Sequence, residues 1–188
     1  MRRDFGTAFI TQCAPVMAGL KPANLFRWVE PDAHAMYSTL AVWREQLSPR
    51  GVQIRVLKAC AVSSAFLIYV YRGKRLGEDL CRPEIQAYLS RTGYPKGTPE
   101  QQLEHLSRRL CTEEEFPHEI GVFLGYPLED VIGFVRHKGK NYTCKGYWKA
   151  YGDPEAARAR FASYRRCTDI YLRCYRKGVT PARLTVAA

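Results

Sequence analysis

Apolar residues recur along this chain at helix and strand spacings, and the breaks between them fall at proline, glycine and acidic caps. A short helix is expected from Asp4 to Gln12, stopping before Pro15 because proline disfavours helical geometry in the residue ahead of it. Val16 to Leu20 then reads as a strand. Asp32 is placed to cap a helix in which Met36, Leu40, Trp43 and Leu47 recur on one face of a 3.6 period, and Ser48-Pro49-Arg50-Gly51 ends it. Val52, Ile54 and Val56 alternate with Gln53 and Arg55, whereas Ala65 to Val70 is almost wholly apolar. The pattern predicts an edge strand paired with a buried one.

The second half continues with helices from Pro83 to about Arg91, closed by Gly93, and from Pro99 to about Cys111. Thr98 and Gln101 have capping-box spacing, and Leu103, Leu106 and Leu110 mark the buried face of the second helix. The acidic run Glu113-Glu114-Glu115 leads into Phe116-Pro117 and an expected strand from Glu119 to Leu124. After Gly125-Tyr126 a helix starts at Pro127, with Leu128, Val131, Ile132 and Val135 on one side, and His137 to Tyr142 forms a basic turn. Thr143 to Tyr151 alternates as a strand, with Cys144, Gly146, Trp148 and Ala150 on one face and Lys145, Tyr147, Lys149 and Tyr151 on the other. Asp153, Pro154 and Glu155 open a last long helix that runs to Gly178, its inner face marked by Ala157, Phe161, Tyr164, Thr168, Tyr171 and Tyr175. The expected fold class is therefore α/β (mixed α+β): a single domain over residues 1–188, with a mixed sheet of about four to five strands flanked by helices.

Composition narrows this picture. With 188 residues, 46% hydrophobic and 25% charged, the chain has the make-up of one globular domain. Its richest apolar stretch, Ala59 to Val70, falls short of the ~20 residues a spanning helix needs and contains Ser63 and Ser64, so no membrane role is expected. Met1-Arg2-Arg3-Asp4-Phe5 is similar to the start of a twin-arginine export signal, but Asp4, Thr7, Thr11 and Gln12 interrupt the apolar region that should follow. The seven cysteines lie far apart without a Cys-x-x-Cys pair, which fits reduced thiols in a cytoplasm. A formal charge of +11 would attract phosphates, nucleic acid, acidic proteins or anionic lipid, and it also serves solubility.

Candidate chemistry sits in four places. The Gly125-Tyr126 turn carries Glu129 and Asp130 in the following helical turn, which repel a phosphate and complement the helix dipole. His118-Glu119 lacks the second histidine of a metalloprotease motif, since Val122 stands there, which leaves His118 as an acid–base group, a metal ligand with a distant partner, or a structural, hydrogen-bonded residue. Lys145, Tyr147, Lys149 and Tyr151, beside His137, Lys138 and Lys140, interleave cations with rings as single-strand binders do; tyrosine is also a good strand former. The last helix carries Arg158, Arg160, Arg165, Arg166, Arg173, Arg176 and Lys177 against Glu155 and Asp169, a phosphate-facing row or a solvated face. Among the thiols, Cys13 at a helix end is the candidate for reactivity, while Cys167 and Cys174 stand too far apart along one helix to share a metal ion. No metal site is expected. The signatures of the common enzyme classes are missing, so the residues neither assign a reaction nor exclude one.

Cys13-Ala-Pro with Gly19-Leu-Lys-Pro22, the Tyr69-Val-Tyr-Arg72 strand, the block from Phe116 to Val131 and Gly146-Tyr-Trp-Lys-Ala-Tyr151 together resemble a bacterial family, domain-of-unknown-function family 3793, over the whole chain. The resemblance implies an intracellular bacterial protein and carries no reaction, cofactor or site. Three readings follow. The first is a cytoplasmic domain that binds an anionic small molecule or a protein partner, possessing or lacking an enzymatic activity, at a site around Lys21, His118, Glu119 and Tyr126. The second is a protein that binds nucleic acid along its phosphate backbone. The third, admitted by the family's association with anaerobes, is an iron-, haem- or thiol-linked redox accessory role.

Overall fold

The computed structural model describes residues 4–187, which leaves Arg2 and Arg3 of the export-like start outside the described residues. Asp4 accepts the Thr7 backbone N–H at 2.7 Å and caps α1 (Phe5–Met17). The helix runs on through Pro15, past the expected stop. Proline costs it a backbone hydrogen bond, but Phe9, Ile10, Cys13, Val16 and Met17 are all sealed from solvent, and their burial offsets that loss. The expected strand over Val16 to Leu20 is instead the end of this helix and its cap: Gly19, at φ 72°, donates to Val16, and Leu20 donates to Pro15. That is a Schellman closure with glycine in the left-handed position that suits it.

β1 (Ala23–Val29) follows, then α2 (Ala33–Leu47), capped by Asp32 through the Ala35 N–H and burying Met36, Leu40, Trp43 and Leu47 as expected. β2 (Val52–Cys60) and β3 (Ala65–Arg72) lead into α3 (Gly73–Leu80), α4 (Pro83–Arg91) and α5 (Pro99–Thr112), the last with both hydrogen bonds of the Thr98/Gln101 capping box. After α6 (Ile120–Phe123) and α7 (Leu128–Arg136) come the short strands β4 (Cys144–Lys145) and β5 (Lys149–Ala150), then α8 (Pro154–Arg176) and α9 (Pro181–Leu184). The class is mixed α/β. The strands are not gathered into one mixed sheet: β1, β3 and β2 form an antiparallel sheet in that order, and β4 and β5 form a separate antiparallel hairpin. β2 is an edge strand and β3 the central one, as the alternation foretold.

Two strand expectations fail. In place of the strand from Glu119 to Leu124 stands the helical turn α6, with Glu119 and Leu124 as its caps and Ile120 to Phe123 all buried, and a segment buried all round has no periodicity to read. Thr143 to Tyr151 bends at Gly146, where a Cβ would lie 2.2 Å from the Phe161 ring, and becomes the β4–β5 hairpin. No strand–helix–strand unit therefore spans Glu119 to Tyr151.

The chain forms two compact units, one of the residues up to Leu76 with those from Cys167 onward, the other of Gly77–Arg166. In the first, Phe9, Ile10 and Met17 of α1 and Leu40, Trp43 and Leu47 of α2 bury Phe26, Ile54, Phe66, Ile68 and Val70 of the sheet. Arg72, 5% exposed at the end of β3, ties three segments together. Its Nε donates to the Val16 carbonyl at 2.7 Å, and its Nη2 donates to Met17 at 2.6 Å and Val186 at 2.8 Å. Arg75 adds a bond to the Gly19 carbonyl. A buried cation is thus met by the carbonyl end of α1, where the helix dipole is negative. Lys21, 2% exposed, donates to Asn24 Oδ1 at 2.8 Å; burial pulls its pKa down from 10.5 to about 8, with the Cys13 thiol opposing.

In the second unit, Gln86 and Gln102 exchange side-chain hydrogen bonds between α4 and α5. Trp148, Ala150, Ala157, Phe161 and Tyr164 form a further apolar cluster.

Two predictions concern the first unit. Arg72→Met leaves three carbonyls without their charged donor and should cost roughly 2–4 kcal/mol in chemical denaturation at unchanged m-value, with Arg72→Lys recovering little, since an ammonium cannot reproduce the fork. For Lys21 the folded pKa lies below the unfolded one, so between pH 8 and 10 the unfolded chain holds the extra proton and stability rises with pH. Buried Cys13, whose thiol is pushed up, works the other way. The stability of the wild type relative to Lys21→Met isolates the lysine and should grow by roughly 2 kcal/mol from pH 7 to 9.5.

Candidate functional site

From Val131 to Gly152 the chain carries no carboxylate, yet it contains Arg136, Lys138, Lys140, Lys145 and Lys149 along with His137. The end of α7 shapes this segment. Lys138 donates to Val135 and Gly139 donates to Phe134, the Schellman closure again, but here the left-handed position, φ 51°, is filled by Lys138 where glycine is the usual resident. Gly139 is left-handed too, and a Cβ there would lie 3.1 Å from the Phe134 ring and 3.3 Å from Lys149 Nζ. Lys149 uses that space to donate to the Gly139 carbonyl at 2.8 Å, and its ammonium lies 5.7 Å from the Phe134 centroid and 5.2 Å from that of Tyr142. Lys149 therefore braces the turn, while Arg136, His137, Lys138, Lys140 and Lys145 are exposed around it.

Aromatic rings border the same turn. Phe116 is 50% exposed with its ring 6.3 Å from that of His118, which is exposed and lies 4.9 Å from Phe134 in an edge contact. Tyr142 is 43% exposed, and His137 stacks on Tyr151 at 5.7 Å. Glu114 and Glu115 are exposed beside Phe116; Glu113 is held by Arg109 at 2.7 Å.

Asp130 holds the hairpin against α7. Its Oδ2 accepts the Trp148 indole N–H at 2.7 Å, and its Oδ1 accepts the backbone N–H groups of Tyr151 at 2.6 Å and Gly152 at 3.1 Å. This carboxylate does more than complement the helix dipole. Gly133 completes the fit, since a Cβ there would lie 2.4 Å from the Tyr151 side chain. Beside Asp130 a hollow of about 60 Å³, room for a few waters, is lined by Glu129, Asp153, Trp148 and Arg160 among others; its carboxylates are unsuited to phosphate.

The expected site residues are divided between the two units. Lys21 and Cys13 belong to the first unit; Cys13 is fully buried, and burial pushes its thiol well up, away from the thiolate form that reactivity needs. The thiol shifted toward thiolate is Cys60, lowered first by a hydrogen bond from Ser63. His118, Glu119 and Tyr126 belong to the second unit but face different surroundings. His118 joins the exposed rings, whereas Glu119 is buried between Arg109 at 2.6 Å and the Tyr94 hydroxyl at 3.0 Å. Tyr126 stacks on Trp148 at 4.8 Å, and burial pushes its pKa up to about 12. Lys145 and Lys149 are cross-strand partners in the hairpin; Tyr147, 42% exposed, rests on Phe161 and Tyr164, while the Tyr151 hydroxyl is buried. Among the described residues, no three His, Cys, Asp or Glu side chains are grouped to hold a metal ion. Phe134 and the bracing role of Lys149 were not legible in the sequence, because a ring and an ammonium fifteen residues apart meet only through the fold.

No helix among the described residues is long and apolar enough to cross a membrane. No curated protein and no solved structure matches the chain. A family model described as protein of unknown function (DUF3793) matches residues 9–185, across both compact units. The chain belongs to that family.

Proposed function

We propose that this is a cytoplasmic bacterial protein that binds nucleic acid by its phosphate backbone, through the basic turn and hairpin between Val131 and Gly152. The observation that carries the reading is Lys138. A left-handed backbone costs an L-residue with a Cβ roughly 1 kcal/mol or more, and glycine would relieve it. A lysine held there at the expense of stability, among exposed Arg136, Lys140 and Lys145 with no carboxylate in the segment, is what a contact to phosphate needs. The wide spacing of the seven cysteines, with no Cys-x-x-Cys pair, supports a reducing compartment. A single family pattern across residues 9–185 supports treating both units as one domain.

Stability and affinity should move in opposite directions on mutation. Lys138→Gly should melt at a higher temperature than the wild type yet bind a labelled single-stranded oligonucleotide about fivefold more weakly, with a salt slope shallower by about 0.7, the share of one phosphate contact. Replacing Lys138, Lys140 and Lys145 together by Glu should abolish binding while the fold persists. No binding of the wild type at low salt, or equal binding by the triple variant, would refute the reading.

A further inference from the structure

Resting on that reading, we infer that the strand bound is single-stranded and that its bases stack on the exposed rings of Phe116, His118 and Tyr142. Cations alone would hold any polyanion, and they explain no ring. Phe116 and Tyr142 leave about half their surfaces in water, at 50% and 43% exposure, and they are not scattered. Phe116 meets His118 at 6.3 Å, His118 meets Phe134 at 4.9 Å, and the Lys149 ammonium joins Phe134 to Tyr142 at 5.7 and 5.2 Å. The result is a row of rings along the basic turn, Phe116, His118 and Phe134 in contact and Tyr142 joined to them across the Lys149 ammonium. In a duplex the base faces are already stacked on each other, so only an unpaired strand can offer them to such a row while its phosphates reach Lys138 and Lys140.

The charges also orient the strand. Glu114 and Glu115 stand exposed at the Phe116 end, and Glu113 is engaged by Arg109, so a phosphate is repelled there and drawn toward the lysines. Bases lie over Phe116 and His118 with the backbone on the Lys138 side. Ile132 and Val135 are exposed on neighbouring α7 and would suit a protein surface, but the five basic residues of a carboxylate-free segment favour the nucleic acid.

An oligonucleotide and its abasic counterpart, identical in phosphates, separate the two kinds of contact. The wild type should prefer the base-bearing strand by about tenfold or more, the contribution expected of a stacked base. Phe116→Ala combined with Tyr142→Ala, both at exposed positions, should erase that preference and leave heparin binding and its salt dependence as they were. Phe116→Trp should keep the preference and show tryptophan quenching on binding, and Glu114→Gln with Glu115→Gln should tighten both oligonucleotides. If the wild type binds normal and abasic strands equally, or if the double alanine variant keeps the preference, base stacking on these rings is wrong while backbone binding stands. Should neither oligonucleotide nor heparin bind at low salt, the functional reading itself falls. Self-association of the wild type that the double alanine variant abolishes, with no preference for bases, would assign the row of rings to a second copy of the chain and overturn the inference.

Discussion

The candidate site depends on one buried carboxylate. Asp130 sits in the first turn of α7 and gathers three N–H groups from Trp148, Tyr151 and Gly152, which pins the hairpin to the helix. Once Trp148 is held there it can stack on Tyr126 and meet Phe161 edge-on at 4.6 Å, and the neighbouring Lys149 is brought to the Gly139 carbonyl. The turn between α7 and the hairpin is therefore fixed at both ends. A loop of exposed lysines would otherwise repel itself and fray, and here the cost is met by an anchor outside the basic segment.

The net charge of +11 divides into two populations. Arg72 donates to three carbonyls, Arg44 to the Ile54 carbonyl, Arg109 to Glu113, Glu119 and Thr92, and Lys149 to Gly139. These cations hold segments together, and the first unit closes around one of them at the end of α1. Arg136, Lys138, Lys140 and Lys145 are exposed instead. The α8 arginines Arg158, Arg160, Arg165, Arg166, Arg173 and Arg176 are exposed as well, and what sets the basic turn apart from them is a segment without a carboxylate. The overall charge is thus a poor guide to function, and its distribution a better one.

Elements with a cap and one apolar face were legible in advance: α2 behind Asp32, α5 behind Thr98, and α8 behind its acidic first turn all formed as the pattern required. The failures share a cause, which is tertiary contact overriding local preference. Pro15 stayed helical because its neighbours are sealed in the core, α6 replaced a strand because each of its residues is buried, and the alternation of Thr143 to Tyr151 broke where Phe161 and Asp130 claim the backbone. For the site, the basic turn and His118 were visible as residue types. Their meeting through Phe134 and Lys149 was not, because neither residue stands out by motif. Glu119 shows the converse: next to His118 in sequence, it turns inward to Arg109 and Tyr94.

Amide hydrogen exchange on the intact protein, with and without a saturating single-stranded oligonucleotide, tests the central claim most directly. The account predicts slowed exchange over residues 134–149 and 116–118, with the sheet of the first unit unchanged. Protection that skips the basic turn and appears elsewhere, or no change anywhere under conditions where the oligonucleotide is bound, would contradict it.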